Sequence, residues 1–251
     1  MLEKVNLQKL KTPSRIPVWE QVDELCKYLA DHRESRMSWF EIIDEFRDWY
    51  DFLDSVESTS QYTNLDGKSY LNLFIDAHRD KNNALVKDAL GAISEGMVYH
   101  LLNDHSESKG KTEREVYVEV TTDREFWSSK NGKRKTLDVA FWDSVKNQGR
   151  GFECKIADVK RDVCTAVVEL LSTIHGLTDG QFEMVLFSFC LDSNALREAL
   201  SRNISEQDKT RLSTICFIGT NHLASFDGTT SCCGEFPQSP FNNSPLRIPN
   251  P

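Results

Sequence analysis

Several protein classes are disfavoured by what this sequence lacks. No apolar run approaches the roughly 18 residues that a membrane-spanning helix needs, so we expect no association with a membrane. The chain has no Gly-rich phosphate loop, no GxSxG motif, and no cysteine or histidine pair at metal-clip spacing. These absences argue against a P-loop nucleotide-binding protein, a serine hydrolase of the GxSxG type and a zinc finger.

The cysteines do not form the pattern of a disulfide-bonded protein. There are seven of them, an odd number, scattered along the chain without a CxxC pair. Four lie in apolar runs, where a free thiol behaves as a small hydrophobic side chain: Cys154, Cys164, Cys190 and Cys216. The first residues also lack the basic and then apolar layout of a secretory signal. We therefore expect reduced thiols and a cytoplasmic protein.

Positive charge is scarce overall but unevenly distributed. The net charge is −9, which by itself disfavours a nucleic-acid partner. Residues 1–80 hold 10 Lys and Arg against 16 Asp and Glu, whereas residues 81–251 hold 20 against 23. Within residues 124–135, five basic side chains face a single acid, Glu125. Such a loop suits phosphate contacts, although a solvated basic loop without function is at least as common.

Hydrophobic residues make up 39% of the 251 positions, enough for a core in one domain with an extension. Apolar periodicity near 3.6 predicts a helix from Pro17 to about Leu29 and another, capped by Ser38, to about Val56. Aromatic stripes at this spacing mostly pack on a core. We therefore predict a helical N-terminal extension over residues 1–80 that serves structure or partner binding.

The remaining chain predicts an α/β fold with a central mixed β-sheet of about five strands flanked by helices. A long helix should cover about residues 82–103, and two shorter ones should begin at Asp162 and at the cap Ser193. Strands are expected at about 115–121, 136–143, 150–157, 182–190 and 213–219. We assign residues 81–226 to this domain and residues 227–251, which are rich in proline, to a flexible tail.

Two of the predicted strands carry charge where apolar residues are expected. Asp138 lies in the first, and Glu153 and Lys155 lie two positions apart in the second. Side chains two apart on a strand point to the same side, and antiparallel pairing can place Asp138 across from them. With the backbone carbonyl of Cys154, the two carboxylates offer the oxygen ligands that Mg²⁺ prefers. Lys155 would orient the attacking water or neutralise the pentavalent phosphorane.

Glu95 is a lone carboxylate among apolar residues of the long predicted helix. Gly91 and Gly96 flank it, and each glycine costs a helix about 1 kcal/mol, which suggests a close approach to another part of the chain. A solvent-facing Glu between buried neighbours explains the same pattern equally well.

These residues resemble the PD-(D/E)XK, or restriction-endonuclease-like, nuclease superfamily. Its core runs helix, three-stranded meander, helix and strand, with an Asp on the second strand and Glu-x-Lys on the third. Here Leu137-Asp138 stands where the family has Pro-Asp, and Glu153-Cys154-Lys155 follows after fourteen intervening residues. Glu95 resembles the first-helix Glu that assists metal binding in many members. The resemblance covers about residues 82–190.

The resemblance implies a metal-dependent endonuclease that acts on DNA, of a restriction or anti-phage defence type. Its catalytic residues would be Asp138, Glu153, Lys155 and Glu95, and its cofactor Mg²⁺, with Mn²⁺ as a substitute. The metal ligands would be the three carboxylates and the Cys154 carbonyl. A homodimer or a partner protein subunit would add the DNA affinity that this acidic chain lacks. Basic residues expected to contact the nucleic acid are Lys130, Lys133, Arg134, Lys135, Lys160 and Arg161.

Three other interpretations remain open. The chain can be a non-catalytic interaction subunit with a nuclease-like fold, or a nuclease of the same chemistry that acts on RNA. The charges can also be structural, with Asp138 paired to Lys135 or Arg150 and with Glu153 and Lys155 forming a solvent-facing ion pair on an edge strand.

Overall fold

A computed structural model of the chain describes residues 7–9, 19–47, 68–70, 72, 83–108, 114–122, 137–143, 148–156, 159–161, 164–177 and 182–228. They form an α/β fold with one mixed sheet in the strand order β1-β2-β3-β4-β5-β6. Four long central strands lie between two short edge strands: β1 Leu7–Lys9, β2 Arg114–Thr122, β3 Leu137–Asp143, β4 Gln148–Lys155, β5 Phe182–Ser188 and β6 Ile215–Ile218. The predicted number of about five strands is wrong, because the three-residue β1 is too short to give a period-two pattern.

Six α-helices and three 3₁₀ turns lie within the described ranges. The helices are α1 Trp19–Asp31, α2 Ser35–Arg47, α3 Asn83–Ser108, α4 Cys164–Leu177, α5 Ser193–Arg202 and α6 Glu206–Lys209. The 3₁₀ turns are Lys68–Tyr70, Thr210–Thr214 and Thr220–His222.

Both serine caps predicted from the sequence are wrong. Ser38 lies inside α2, which begins three residues earlier, where Arg36 is buried against the end of α1. The cap of α5 is Asp192, whose carboxylate accepts the backbone N–H groups of Asn194 at 2.9 Å and Ala195 at 3.0 Å. Asp and Ser are similarly good caps, so the sequence alone does not decide between neighbouring positions.

The sheet has an antiparallel part and a parallel part. Strands β1 to β4 pair antiparallel with their neighbours, whereas β4 with β5 and β5 with β6 pair parallel. The helix α4 provides the crossover that a parallel connection needs. Almost all of β5 is buried, which confirms that its continuous apolar sequence lies between two layers.

Helices cover both faces of the sheet. On one face α1, α2 and α3 share a hydrophobic core with alternate strand residues such as Val185 and Phe187. On the other face α4 and α5 pack on Met184 and Leu186. Trp39 of α2 is fully buried, so the prediction that the aromatic N-terminal helices pack on a core is confirmed. The domain boundary near residue 80 stays a prediction, and the tail beyond residue 228 lies outside the described residues.

The two glycines of α3 have different surroundings. A Cβ atom built on Gly96 would lie 2.6 Å from the Cys26 Sγ and 3.0 Å from the Cys26 Cβ. The helices α1 and α3 therefore pack so closely at Gly96 that a larger side chain has no room there. A Cβ atom built on Gly91 would meet nothing within 4 Å. The predicted close approach is therefore confirmed at Gly96 and wrong at Gly91.

This difference makes a paired prediction on stability. Gly91→Ala should raise the free energy of unfolding by about 0.5–1 kcal/mol, because alanine favours the helix and has room. Gly96→Ala should lower it by about 1–3 kcal/mol, because the added methyl forces α1 away from α3. Urea unfolding measures both, and Cys26→Ala in the Gly96→Ala background should recover part of the loss. Equal effects of the two single substitutions would contradict the close approach.

Candidate active site

Strands β3 and β4 separate where β3 begins and β4 ends. Their antiparallel pairing stops with Val139 opposite Phe152. Beyond this point the backbone N–H of Cys154 donates a hydrogen bond of 2.7 Å to the Asp138 Oδ2. The Asp138 carboxylate thus satisfies a backbone N–H of β4 that has no backbone partner on β3, and this bond holds Asp138 beside β4.

Glu153 and Lys155 project from the same side of β4 and contact each other. The Lys155 Nζ donates to the Glu153 Oε1 at 2.6 Å and to the Cys154 carbonyl oxygen at 3.0 Å, and it lies 3.8 Å from the Asp138 Oδ2. The side chains of Asp138, Glu153 and Lys155 are 19%, 12% and 25% exposed, so the group is shielded but still reaches solvent. The structure therefore brings these three side chains together.

The electrostatics of the cluster show crowded negative charge around one cation. Burial, followed by the charges of Glu153 and Glu95, raises the pKa of Asp138 well above its usual value, although Lys155 opposes this. Burial alone would lower the pKa of Lys155, but the carboxylates of Glu153 and Asp138 outweigh it and hold that pKa above its usual value. Lys155 is therefore a permanently charged ammonium group at neutral pH.

Glu95 approaches the cluster from α3. It is half-buried, and its charge raises the pKa of Asp138 and of the Cys154 thiol, in each case by less than burial and one other carboxylate do. α3 packs on the face of the sheet to which Cys154 points. Among the other three residues predicted for the site, the charge of Glu95 thus acts on Asp138.

The interpretation of these charges as ion pairs that only stabilise the fold is supported in part. Lys155 and Glu153 do form an ion pair, but β4 is an inner strand between β3 and β5, not an edge. Arg150 does not pair with Asp138: it pairs with Glu183 and donates to the Gly228 carbonyl oxygen at 3.1 Å. Lys135 lies outside the described residues.

The carboxylates have not gathered into a ready-made metal centre. Within the described part of the chain, no three His, Cys, Asp or Glu side chains converge so that they could hold a metal ion. The oxygens of Asp138, Glu153 and Cys154 surround the Lys155 ammonium group instead. These oxygen atoms are of the kind that a hard divalent cation prefers. In this structure the cation that they surround is the Lys155 ammonium group.

Most of the basic residues predicted to contact nucleic acid lie outside the described residues, namely Lys130, Lys133, Arg134 and Lys135. Lys160 and Arg161 are described and exposed, a few residues beyond the end of β4. They therefore lie near the cluster in the chain and are open to a ligand. Among the described helices, none has the length and apolar character to cross a bilayer.

Sequence reasoning missed Ser188 at the end of β5. It is fully buried and lies beside Lys155 in the parallel register of β4 and β5. Its Oγ accepts the backbone N–H of Leu191 at 3.2 Å. The available signal was a single hydroxyl in a nearly continuous apolar run, and only the strand register shows that it neighbours the cluster.

Comparison with known proteins gives no family for this chain. No family of known proteins and no curated protein matches its sequence. Among solved structures it is similar to protein VC1899 from Vibrio cholerae, with 17% sequence identity and a TM-score of 0.48. The similarity covers 88% of this chain and 56% of the Vibrio protein, so this chain spans little more than half of that protein's length.

Proposed function

We propose that this protein is a Mg²⁺-dependent endonuclease that hydrolyses phosphodiester bonds of DNA. The observation that carries the proposal is the meeting of Asp138, Glu153 and Lys155 at the point where β3 leaves β4. Two acids and an ammonium group at one partly exposed position suit phosphoryl chemistry better than they suit stability. A mostly buried ion cluster often stabilises a fold no more than apolar residues would.

The order of elements supports the resemblance to PD-(D/E)XK nucleases. The long helix α3 precedes the antiparallel meander β2-β3-β4, and α4 and the parallel strand β5 follow. Asp138 lies on the second strand of this meander, Glu153 and Lys155 lie on the third, and Glu95 lies on the preceding helix. Each residue of the proposed site thus falls on the type of element that this superfamily uses.

The residues present fit a divalent cation. Three of their oxygens already surround a cationic group, and the raised pKa of Asp138 reflects burial and negative charge that a metal would offset. Asp138, Glu153 and the Cys154 carbonyl would hold Mg²⁺, and Mn²⁺ in its place, with Glu95 as an additional ligand. The bound ion supplies the Lewis acidity that phosphodiester hydrolysis requires.

Lys155 acts through its charge. Without a bound metal, the carboxylates of Glu153 and Asp138 hold the pKa of Lys155 above its usual value and keep it protonated. Its role in the proposed reaction is to orient the phosphate and to stabilise the negative charge that develops on it. Lys160 and Arg161, which are exposed shortly after β4, would contact the neighbouring phosphates of the nucleic acid.

We assign the enzyme to restriction or anti-phage defence systems, in which this type of nuclease is common. The net charge of −9 argues that the chain does not bind DNA strongly by itself. A second copy or a partner subunit would then contribute positive surface. Association should therefore increase cleavage more strongly at high salt, where weak phosphate contacts are lost.

The test is cleavage of supercoiled plasmid by the purified full chain with Mg²⁺, with Mn²⁺ and with EDTA. Nicking or linearisation with either metal, and none with EDTA, is the expected result. Single-stranded DNA, branched DNA and RNA at equal concentration define the substrate. Preferred cleavage of RNA would replace the substrate class, and no cleavage of any substrate would favour a non-catalytic subunit with a nuclease-like fold.

A further inference from the structure

The Lys155 ammonium group lies among the oxygens proposed to hold the metal. Its Nζ is 2.6 Å from the Glu153 Oε1, 3.0 Å from the Cys154 carbonyl oxygen and 3.8 Å from the Asp138 Oδ2. All three atoms belong to the proposed ligand set. The lysine therefore contacts the ligands themselves and does not merely lie beside them.

An ammonium group and a divalent ion compete for these oxygens. Mg²⁺ binds its ligands at about 2.0–2.1 Å, so an ion held by these three oxygen atoms on the side where the Nζ lies would take the place of the ammonium group. Two positive charges at such a distance also repel strongly where water is largely excluded. At that position there is room for one cation only.

Lys155 is able to leave. Its side chain is 25% exposed, so a path to solvent is open, and its four-carbon stem is flexible. The Asp138 carboxylate keeps its hydrogen bond from the Cys154 N–H when the lysine moves, so the strand positions need not change.

We infer that Lys155 is a built-in competitor of the metal: in the metal-free protein it occupies the cation position, and a divalent ion binds only by displacing it. This inference rests on the proposed metal-dependent function. It makes Lys155 a residue that sets metal affinity as well as one that acts on the phosphate. The enzyme would then be inactive at low Mg²⁺, although its acids remain charge-compensated.

Metal titration without substrate tests the inference. Lys155→Met retains the stem and removes the charge, so it should bind Mn²⁺ at least about tenfold more tightly than the wild type in calorimetry. Lys155→Gln, as a second neutral variant, should change in the same direction. Lys27→Met removes the same charge from an exposed position on α1 and should leave the affinity unchanged.

Charge removal alone could also tighten binding, so the position of the lysine is measured directly. In protein labelled with ¹⁵N at lysine Nζ, the Lys155 ammonium resonance should be protected without metal and should lose this protection when Mg²⁺ is added. An ammonium resonance that Mg²⁺ leaves unchanged, or Lys155 variants with unaltered affinity while the wild type binds, overturns the inference but not the proposed function. Failure of the wild type and of the variants to bind either metal overturns both.

Discussion

The substitution Asp138→Asn is expected to slow Mg²⁺-dependent DNA cleavage by about a thousandfold or more, which corresponds to about 4 kcal/mol in activation free energy. Asp138→Asn keeps the size of the side chain and an oxygen that accepts the Cys154 N–H. It removes the negative charge with which the position would hold a divalent ion, and loss of that ion removes its Lewis acidity. Initial rates on supercoiled plasmid, at saturating Mg²⁺, measure the effect.

The same substitution should make the metal-free protein more stable, by about 1 kcal/mol. Burial and the charges of Glu153 and Glu95 raise the pKa of Asp138, so its ionised form is unfavourable in the folded chain. The folded protein therefore binds a proton more readily than the unfolded chain, whose Asp pKa is about 3.9. The free energy of unfolding should fall as pH rises from there through the raised folded pKa, and Asp138→Asn should reduce this fall.

Urea unfolding in EDTA at several pH values, together with the cleavage rates, distinguishes a functional acid from a structural one. Glu169→Gln neutralises an exposed acid on α4 and should alter neither quantity. An Asp138→Asn protein that cleaves at the wild-type rate would remove Asp138 from the site. One that is several kcal/mol less stable would identify the cluster as structural.

The sequence is sufficient to predict the long helices and strands of this fold. The sequence predicts the helix α3 and the strands β2 to β5, because a long segment of alternating or continuous apolar residues is a signal that survives errors at its ends. β1 and α6 have three and four residues, too few to show a period, and were missed. Helix boundaries at Ser35 and Asp192 depend on contacts that neighbouring cap residues make equally well.

At the site, the sequence predicts to which side of a strand a side chain points, but not which atoms it contacts. The common side of Glu153 and Lys155 follows from strand geometry alone. The position at which β3 separates from β4 cannot be predicted from strand geometry. Because the strands separate beyond Val139 and Phe152, Asp138 accepts the Cys154 N–H and does not face Glu153 directly. The rotamer that puts the Lys155 Nζ on the Cys154 carbonyl oxygen also depends on this local opening, which no spacing in the sequence encodes.

Arg36→Met is expected to lower the free energy of unfolding by about 3–5 kcal/mol, a large part of the stability of a typical domain. Arg36 is fully buried, and nothing in the sequence around it predicts its role. Its guanidinium donates to the carbonyl oxygens of Leu29 at 2.6 Å and Ala30 at 2.7 Å, at the end of α1. It also donates to those of Leu223 at 2.8 Å and Phe226 at 2.6 Å, nearly 200 positions further along the chain.

The expected loss of stability is large because one side chain binds the carbonyl groups at the ends of two helical segments. The last carbonyl groups of a helix have no partner within it, and a cation suits that end of the helix dipole. Methionine would fill most of the volume but leave four buried carbonyl oxygens without their donors, at about 1–3 kcal/mol each before relaxation. Burial lowers the pKa of Arg36 to about 10, so it is charged at neutral pH and its hydrogen bonds are charge-assisted.

The segment that Arg36 holds also closes the core above the site strands. Phe226 is fully buried and stacks on Phe187 of β5, with ring centroids 5.7 Å apart. Arg36→Lys should restore only part of the loss, because an ammonium group cannot reach carbonyl groups on both segments as the planar fork does. Arg33→Met removes the same charge from an exposed position three residues earlier and should shift stability by no more than about 0.5 kcal/mol. If Arg36→Met and Arg33→Met unfold at the same urea concentration, the N-terminal helices are not fastened to the sheet through Arg36, and the four hydrogen bonds contribute nothing net to the fold.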